Sequence, residues 1–320
     1  MNNYIELLKD PYNLTKWVKI LDIQVTKASS DEEVTNMRTI YDEFLGNFPY
    51  LVNYYIKYID LEYQLQNISK CEEIYESGFR YLSYSIEFWM SYLKFKITTT
   101  AINFNSVKDL VTLFETARSF IGLHYFSGDF YKLYLEFLQT YETLGITGYD
   151  NLLKYVLEVP LYNYSYFHEK VDKKYVDSYI TTQYKAYKLY EYEKKLTNYN
   201  DVKFISVQEL KTWDKYLEFM ELNYPHEFVI QLYERAVITT SQYPEIWNKY
   251  VSYLTSKGKY RQAEIVAKRG KQIERIVEFA LIRDKHLVVE ALKKSRESTK
   301  LPVQDNWNDY NETLSKYLHT

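Results

Sequence analysis

Trp213-Asp-Lys-Tyr216-Leu217-Glu-Phe219 is the stretch that decides the fold, because its pattern returns along the chain. The pattern is an aromatic residue, two variable positions, a tyrosine, an aliphatic residue, one more variable position and an apolar residue. Its five copies begin at Tyr55, Trp89, Tyr131, Trp213 and Trp247. The intervals between them are 34, 42, 82 and 34 residues. A period between about twenty and fifty residues is typical of stacked repeats, so the sequence predicts a repeat array.

Each copy has the spacing of a helix that is apolar on two adjoining faces. Positions 0, 3, 4 and 7 of the pattern share one helix face, and in the copy at Trp213 they also include Tyr216, Leu217 and Met220. The apolar residue at position 6 lies about 100° away around the helix axis. Two apolar faces need two partners. A stacked array supplies them as a second helix of the same repeat and as the neighbouring repeat.

The second helix of the repeat has its own signature. Three segments match position by position: Ile74-Tyr-Glu-Ser-Gly78, Leu113-Phe-Glu-Thr-Ala117 and Leu232-Tyr-Glu-Arg-Ala236. The small residue that ends each segment allows two helix backbones to approach closely. After Trp247 the corresponding segment is Ala267-Lys-Arg-Gly270, which lacks the Tyr-Glu pair and is interpreted as degenerate.

Helix-start signals fall where this repeat pattern needs them. Three Ser-x-x-Glu segments are predicted capping boxes, in which the serine and the glutamate each bond a free backbone amide. Two prolines precede first helices, where a proline in the first turn costs no hydrogen bond. The segments are Ser30–Glu33, Ser69–Glu72 and Ser206–Glu209, and the prolines are Pro49 and Pro244.

These patterns predict an all-α fold, a right-handed α-α superhelix made of antiparallel helix pairs. No run of the chain alternates with the period of two that a β-strand requires. The residues expected to form the repeated core are Tyr55, Tyr58, Tyr75, Trp89, Tyr92, Phe114, Tyr131, Tyr134, Trp213, Tyr216, Tyr233, Trp247 and Tyr250.

Four segments are expected along the chain. Residues 1–160 are predicted to hold about four helix pairs, residues 161–205 one long connecting helix, and residues 206–275 further repeats. Residues 276–320 are predicted to form divergent C-terminal helices. We interpret the connecting helix as a bend in the array, with a docking place for a partner as the alternative. We expect the array to be open or truncated at its C-terminal end, or covered there by a partner.

Composition excludes several classes of protein. The 320 residues include 46% hydrophobic residues and 37 tyrosines, enough for a continuous core, and their net charge of −3 argues against polyanion binding by the chain as a whole. One cysteine, Cys71, excludes a disulfide framework and a cysteine-based zinc site. No stretch reaches the length of a membrane helix, and the N-terminus lacks the features of a secretory signal. We therefore expect a soluble intracellular protein.

Motifs for catalysis are absent from the sequence. The eight glycines form neither a dinucleotide-binding fingerprint nor a phosphate-binding loop. The five histidines are scattered, with no pair four residues apart that would suit a metal. Acidic pairs lie at predicted helix starts, where the helix dipole favours them. We expect no enzymatic activity, no metal and no cofactor.

One basic segment has two interpretations. Its cations surround the aromatic residue Tyr260 and outnumber the acidic residues Glu264 and Glu274. It could contact RNA phosphates or an acidic partner, or it could simply be a solvated helix face. Its cations are Lys257, Lys259, Arg261, Lys268, Arg269, Lys271 and Arg275.

An aromatic cluster near the start of the connector is also ambiguous. Tyr162, Tyr164, Tyr166 and Phe167 follow one another closely in the sequence. They could bind a peptide, or they could pack the fourth repeat against the connector, which is the interpretation we favour.

The unit derived above resembles the half-a-TPR (HAT) repeat, which is largely confined to RNA-processing assemblies. The segment from Trp213 to Ala236 is nearly a consensus copy. Within that group the chain resembles the pre-mRNA-processing factor 39/42 family, whose members are subunits of the U1 small nuclear ribonucleoprotein. The resemblance rests on Tyr41–Glu62, which contains Phe48-Pro49-Tyr50, on Asn67–Gly78, and on Trp213–Ile238. It extends over residues 15–275, and the last 45 residues do not match well.

The resemblance implies a nuclear, non-catalytic scaffold that acts in 5′ splice-site recognition. Its implied partners are other proteins of the U1 particle and a HAT-family paralogue. The C-terminal region of the family dimerises, either with a paralogue as a heterodimer or with a second copy as a homodimer. A concave helical surface would bind partner segments, and contact with RNA would be indirect. The alternatives are direct RNA binding through residues 257–275, or a HAT scaffold of mRNA 3′-end cleavage or ribosome biogenesis.

Overall fold

The computed structural model describes residues 13–25, 30–171, 176–197, 205–241 and 243–271. The chain divides into two compact units, Met1–Ile273 and Glu274–Thr320, and every described residue lies in the first. The predictions for residues 276–320 and for Arg275 therefore lie outside the described residues. All the regular elements described are helices, as predicted.

The helices follow one another along the chain with short connections. They are α1 (Leu14–Val25), α2 (Asp31–Asn47), α3 (Val52–Gln64), α4 (Ile68–Leu82), α5 (Ile86–Thr99), α6 (Phe104–Ile121), α7 (Gly128–Thr140), α8 (Tyr149–Val156), α9 (Tyr164–His168), α10 (Val176–Glu193), α11 (Val207–Asn223), α12 (His226–Thr239), α13 (Pro244–Ser256) and α14 (260–271). A short 3₁₀ helix, Glu142–Leu144, lies between α7 and α8. Sequential helices pack in pairs from α1–α2 to α11–α12, and Gly270 of α14 lies against Trp247 of α13. We number these pairs as units 1 to 7, from α1–α2 to α13–α14. Short connections make the two helices of a pair antiparallel.

The first helices of units 3 and 7 have the same internal hydrogen bond. The indole Nε1 of Trp89 donates to the carbonyl oxygen of Ser83 at 2.7 Å, and that of Trp247 donates to the carbonyl oxygen of Ser241 at 2.8 Å. Each acceptor lies six residues before its tryptophan. The two copies of the sequence pattern are thus structurally equivalent, as a repeat array requires.

The small residues of the second helices lie where two helices meet. A Cβ atom on Gly78 would collide with the ring of Phe88 and lie 3.1 Å from Cδ1 of Tyr55. A Cβ atom on Gly270 would lie 3.2 Å from the indole of Trp247. Glycine at these positions therefore sets the distance between α4 and its neighbours and between α14 and α13.

The connector is not the single long helix that the sequence predicted. Residues 161–205 contain α9, which has five residues, and α10, which has 18. Tyr192 of α10 stacks on Tyr216 of α11 with ring centroids 4.9 Å apart, the same relationship that second helices have elsewhere in the array. The connector therefore forms unit 5, with a short first helix.

The helix caps match the predictions in part. Ser30 and Glu33 form the predicted capping box of α2, and Pro244 is in the first turn of α13. The predicted box at Ser69 is wrong, because α4 already begins at Ile68. Ser206 caps α11, but the Glu209 carboxylate accepts from the Thr197 hydroxyl at 2.6 Å instead of returning to the cap. Pro49 lies in the turn before α3 rather than in the helix, which begins at Val52.

Candidate interaction surfaces

The units are joined by a repeated aromatic contact. At five junctions the tyrosine at position 3 of the pattern, on a first helix, packs on an aromatic residue from the second helix of the preceding unit. The ring centroids lie within 5 Å of each other, in the range for favourable ring pairs. Four of these pairs are stacked, and the Tyr75–Tyr92 pair is tilted by 49°. The pairs are Tyr41–Tyr58 (4.5 Å), Tyr75–Tyr92 (4.8 Å), Phe114–Tyr134 (4.5 Å), Tyr192–Tyr216 (4.9 Å) and Tyr233–Tyr250 (4.6 Å). The tyrosine of the sequence pattern thus forms a contact between neighbouring units.

A glutamate that follows the aromatic residue adds a hydrogen bond at three of these junctions. The hydroxyls of Tyr134, Tyr216 and Tyr250 donate to Glu115, Glu193 and Glu234 at 2.7, 2.9 and 3.0 Å. Burial, together with the neighbouring carboxylate, raises the pKa of each tyrosine above its ordinary value. The hydroxyls therefore remain protonated donors.

Two of these glutamates also hold an arginine from the next second helix. Arg235 binds Glu193 through both terminal nitrogens, at 2.6 and 2.8 Å, and Arg269 binds Glu234 in the same way, at 2.9 Å for each contact. Burial alone would lower the pKa of Arg269, but Glu234 and Tyr50 outweigh it and raise the pKa. Loss of one partner from a buried pair leaves an uncompensated charge, which is costly.

The predicted core residues lie inside the array. Twelve of the thirteen side chains are buried, and Tyr92 is half-buried. These residues hold the units together and leave little surface for a partner.

Later units also contact units that are not their neighbours. The side chain of Gln231, on α12, accepts from the backbone amide of Leu123 at 2.9 Å and donates to the carbonyl oxygen of Ser119 at 3.0 Å. The guanidinium of Arg235 lies 5.6 Å from the centroid of the Phe126 ring. These contacts bury α12 on nearly every side, so part of the surface of units 3 and 4 is covered by the chain's own helix.

The basic segment divides into exposed cations and one half-buried arginine. Arg269 lies in the ion pair with Glu234, so it does not belong to an exposed patch. The remaining described cations are exposed on α14 and the loop before it, and Tyr260 among them is 69% exposed. Lys268 forms a surface ion pair with Glu264 at 2.8 Å. The exposed cations are Lys257, Lys259, Arg261, Lys268 and Lys271.

The aromatic cluster of residues 162–167 packs unit 4 against unit 5. Phe167 is fully buried, 6.4 Å from Tyr131 between ring centroids. Tyr164 contacts Tyr179 of α10 with ring centroids 5.5 Å apart. Tyr162 is partly exposed beside Phe126. Phe167 therefore packs unit 5 against unit 4, and Tyr164 packs α9 against α10 within unit 5.

An exposed aromatic surface on α10 was missed by the sequence reasoning. Ile180, Tyr184, Tyr187 and Tyr190 are all exposed on this helix. Their spacing of four, three and three residues is visible in the sequence, but the segment was interpreted only as a connecting helix, without an exposed apolar face. We call these four residues the α10 surface.

His124 and Cys71, side chains of types that often serve in catalysis, both have shifted pKa values. His124 is half-buried, and the partial loss of its hydration lowers its pKa well below the ordinary value, while the charge of Arg235 lowers it further. Burial raises the pKa of the Cys71 thiol to about 11. Within the described residues, no three histidine, cysteine or carboxylate side chains converge as a metal site would require. None of the described helices has the length and apolar character needed to cross a bilayer.

Stacked helix pairs joined by aromatic, tyrosine–glutamate and glutamate–arginine contacts define a HAT-repeat solenoid. The PRP39 N-terminal HAT repeat family matches residues 3–173, and the PRP39 C-terminal HAT repeat family matches residues 187–314. The chain belongs to the PRP39 family of HAT-repeat proteins. The second match extends well past residue 275, so the expectation that the resemblance ends there is wrong.

Curated relatives agree with this assignment. The U1 small nuclear ribonucleoprotein component PRP42 of Saccharomyces cerevisiae is 28% identical over 302 residues, which cover 76% of this chain and 55% of PRP42. Pre-mRNA-processing factor 39 of Schizosaccharomyces pombe is 23% identical over 316 residues, covering 79% of this chain and 51% of the relative. The human factor of the same name is 22% identical over 311 residues, covering 77% and 46%. The chain thus spans about half the length of the curated relatives it matches.

Proposed function

We propose that this protein is a non-catalytic scaffold subunit of the U1 small nuclear ribonucleoprotein and acts in pre-mRNA splicing in the nucleus, at the step of 5′ splice-site recognition. The observation that carries the proposal is the match of both PRP39 HAT families to the chain, together with a relative named as a U1 component. The buried aromatic and ionic junctions support it, because they make a rigid array whose remaining surfaces can bind proteins. Its partners in this proposal are other U1 proteins and a HAT-family paralogue.

Affinity purification of the tagged chain from nuclear extract, followed by identification of the bound small nuclear RNA, tests this proposal. We expect U1 small nuclear RNA to be retained, with splicing proteins of the same particle. Retention of a ribosomal precursor RNA or of 3′-end cleavage factors would instead support the other HAT scaffolds and contradict the proposal. A matched control is a chain carrying Trp247→Ala, which should lose the RNA because the array is damaged.

A second candidate function is direct RNA binding through the exposed cations of residues 257–271. The exposure of Lys257, Lys259 and Arg261 around Tyr260 favours it, since cations beside an exposed aromatic ring suit single-stranded RNA. The purified chain would be titrated with a labelled RNA at increasing salt. Phosphate contacts predict a steep loss of affinity with salt, and a triple substitution of these cations by glutamate should abolish binding. Absence of binding at low salt would exclude this function.

A further inference from the structure

The α10 surface is apolar on a side of the helix that its neighbours leave uncovered. Ile180, Tyr184, Tyr187 and Tyr190 are 57%, 62%, 58% and 48% exposed, whereas Thr182, Ala186 and Leu189 on another side are at most 3% exposed. A surface helix of a globular protein normally has one apolar stripe, facing the core. Because α10 has two, the exposed one is suited to a partner.

The short first helix of unit 5 explains why this surface is uncovered. The first helices of units 4 and 6 have 13 and 17 residues, whereas α9 has five. The rings of Tyr164 and His168 on α9 contact Tyr179, near the N-terminal end of α10, at 5.5 and 5.0 Å. Among the described residues of unit 5, most of the helix that would lie beside α10 in a full pair is thus absent.

The charge around the α10 surface is positive. Lys185, Lys188 and Lys195 flank the exposed tyrosines, and the charge of a fourth lysine, Lys194, is balanced by Glu191. On the acidic side, Glu193 is buried against Arg235 and Glu191 is bound to Lys194 at 2.7 Å. The surface therefore favours an occupant with negative charge, because complementary potentials favour the encounter. A second copy of the same surface would bring lysine against lysine.

The geometry favours a helix over an RNA strand as that occupant. Ile180, Tyr184 and Tyr187 are spaced by four and three residues, which forms an apolar stripe along α10 that can pack on the apolar stripe of another helix. Lysine side chains lie over two of the rings, with Nζ of Lys188 5.4 Å from the centroid of Tyr184 and Nζ of Lys194 5.5 Å from that of Tyr190. These ring faces are partly occupied, which makes them poor platforms for stacked bases.

We infer that the α10 surface binds an acidic amphipathic helix of a partner protein, which takes the place of the missing part of the first helix of unit 5. The apolar face of that helix packs on Ile180, Tyr184 and Tyr187, and its carboxylates lie near Lys185 and Lys188. The inference rests on the proposed function only in that the chain serves as a scaffold for proteins.

Site-specific cross-linking in the full chain tests this inference. The photoreactive residue benzoylphenylalanine replaces Tyr187 in a tagged chain, which is purified with its partners and irradiated. A matched control places it at Tyr63, an exposed tyrosine of α3. We expect position 187, and not position 63, to cross-link to a protein segment with net negative charge and helical apolar spacing. Cross-linking to RNA, to a second copy of this chain or to a basic segment would overturn the inference, as would no cross-link at position 187.

The cross-linked segment is then synthesised as a labelled peptide and its binding to the purified chain is measured by fluorescence anisotropy. Lys185→Glu with Lys188→Glu should weaken binding at least tenfold without changing the melting temperature. Lys94→Glu with Lys108→Glu, an equal change of charge at exposed positions of α5 and α6, should change it less than twofold. Equal losses in both double variants would contradict a specific site.

The outcomes separate this inference from the proposed function. If the wild-type chain retains U1 RNA but position 187 does not cross-link, only the inference fails. If the chain retains a different RNA or none, while an acidic helix cross-links at position 187, the proposed function fails and the inference stands.

Discussion

The guanidinium of Arg269 lies 3.4 Å from the hydroxyl of Tyr50, a residue 219 positions earlier in the chain. The same guanidinium binds Glu234 through two nitrogens. One side chain of unit 7 therefore contacts both unit 6 and the turn between units 1 and 2. This places Arg269 in the fold of the array rather than on a surface for RNA.

Replacing Arg269 by alanine should lower the free energy of unfolding by about 2–4 kcal/mol. Glu234 would be left with a buried, unpaired charge. The expected loss of stability is somewhat smaller than the usual cost of breaking a buried ion pair, because the arginine is partly exposed. Lys268→Ala, which removes only a surface ion pair, should cost less than about 1 kcal/mol. Urea denaturation of both variants measures the difference. Equal stabilities would mean that Arg269 is not part of the fold.

Trp213→Ala and Trp247→Ala should each destabilise the chain by about 3–5 kcal/mol, the range for emptying a large core site. Both side chains are almost fully buried. Leu222→Ala is the control, since Leu222 is 79% exposed and its truncation should change stability by less than about 0.5 kcal/mol. Thermal melting followed by circular dichroism compares the three. A tryptophan variant that melts like the parent would show that its side chain is not a core residue.

Gly78→Ala should destabilise the chain by about 1–3 kcal/mol, because the new methyl group enters a filled contact between units. A Cβ atom added to Gly46, on α2, would meet no neighbouring side chain within 4 Å. Gly46→Ala should therefore stabilise the chain by about 0.5–1 kcal/mol through the helix preference of alanine. Urea denaturation measures both variants, and a change of the same sign in both would contradict the close packing at Gly78.

His124 should make the chain less stable in mild acid. Its lowered pKa keeps the folded imidazole neutral, while the unfolded chain takes up a proton below about pH 6.5. The free energy of unfolding should therefore fall as the pH drops through that value, by at most about 1.4 kcal/mol per pH unit for this group.

The variant His124→Asn isolates this contribution. An asparagine oxygen can accept the hydrogen bond that the backbone amide of Phe126 donates to His124 Nδ1. Urea denaturation between pH 7 and pH 5 should show a smaller loss of stability in the variant than in the parent. Parallel curves for the two chains would refute the assignment.

The repeated helix pairs could be predicted because their apolar spacing is local. The pattern around Trp213 predicted both the helix and the faces that it buries. The segment Ala267–Gly270 was interpreted as degenerate because it lacks the Tyr-Glu pair. The structure shows that it keeps the two residues that matter at this junction, Arg269 for Glu234 and Gly270 for the indole of Trp247.

Unit 5 was missed because α9 is too short to carry the full pattern. The interval of 82 residues between Tyr131 and Trp213 was the available signal, since it accommodates two units of about the length found elsewhere. The contacts of Gln231 and Arg269 with early units could not be predicted. Such contacts depend on how far the array turns between distant units, and no periodic pattern encodes that rotation.

The hydrogen bonds of Gln231 to Ser119 and Leu123 constrain the number of units between α6 and α12 as well as their packing. A solenoid that touches only its immediate neighbours can gain or lose a module without penalty elsewhere. Here, deleting or duplicating a unit between α6 and α12 would move Gln231 out of hydrogen-bonding distance of Ser119 and Leu123. Insertions and deletions in related chains are therefore expected in the loops or outside the segment from α6 to α12, where no contact between distant units has to be kept.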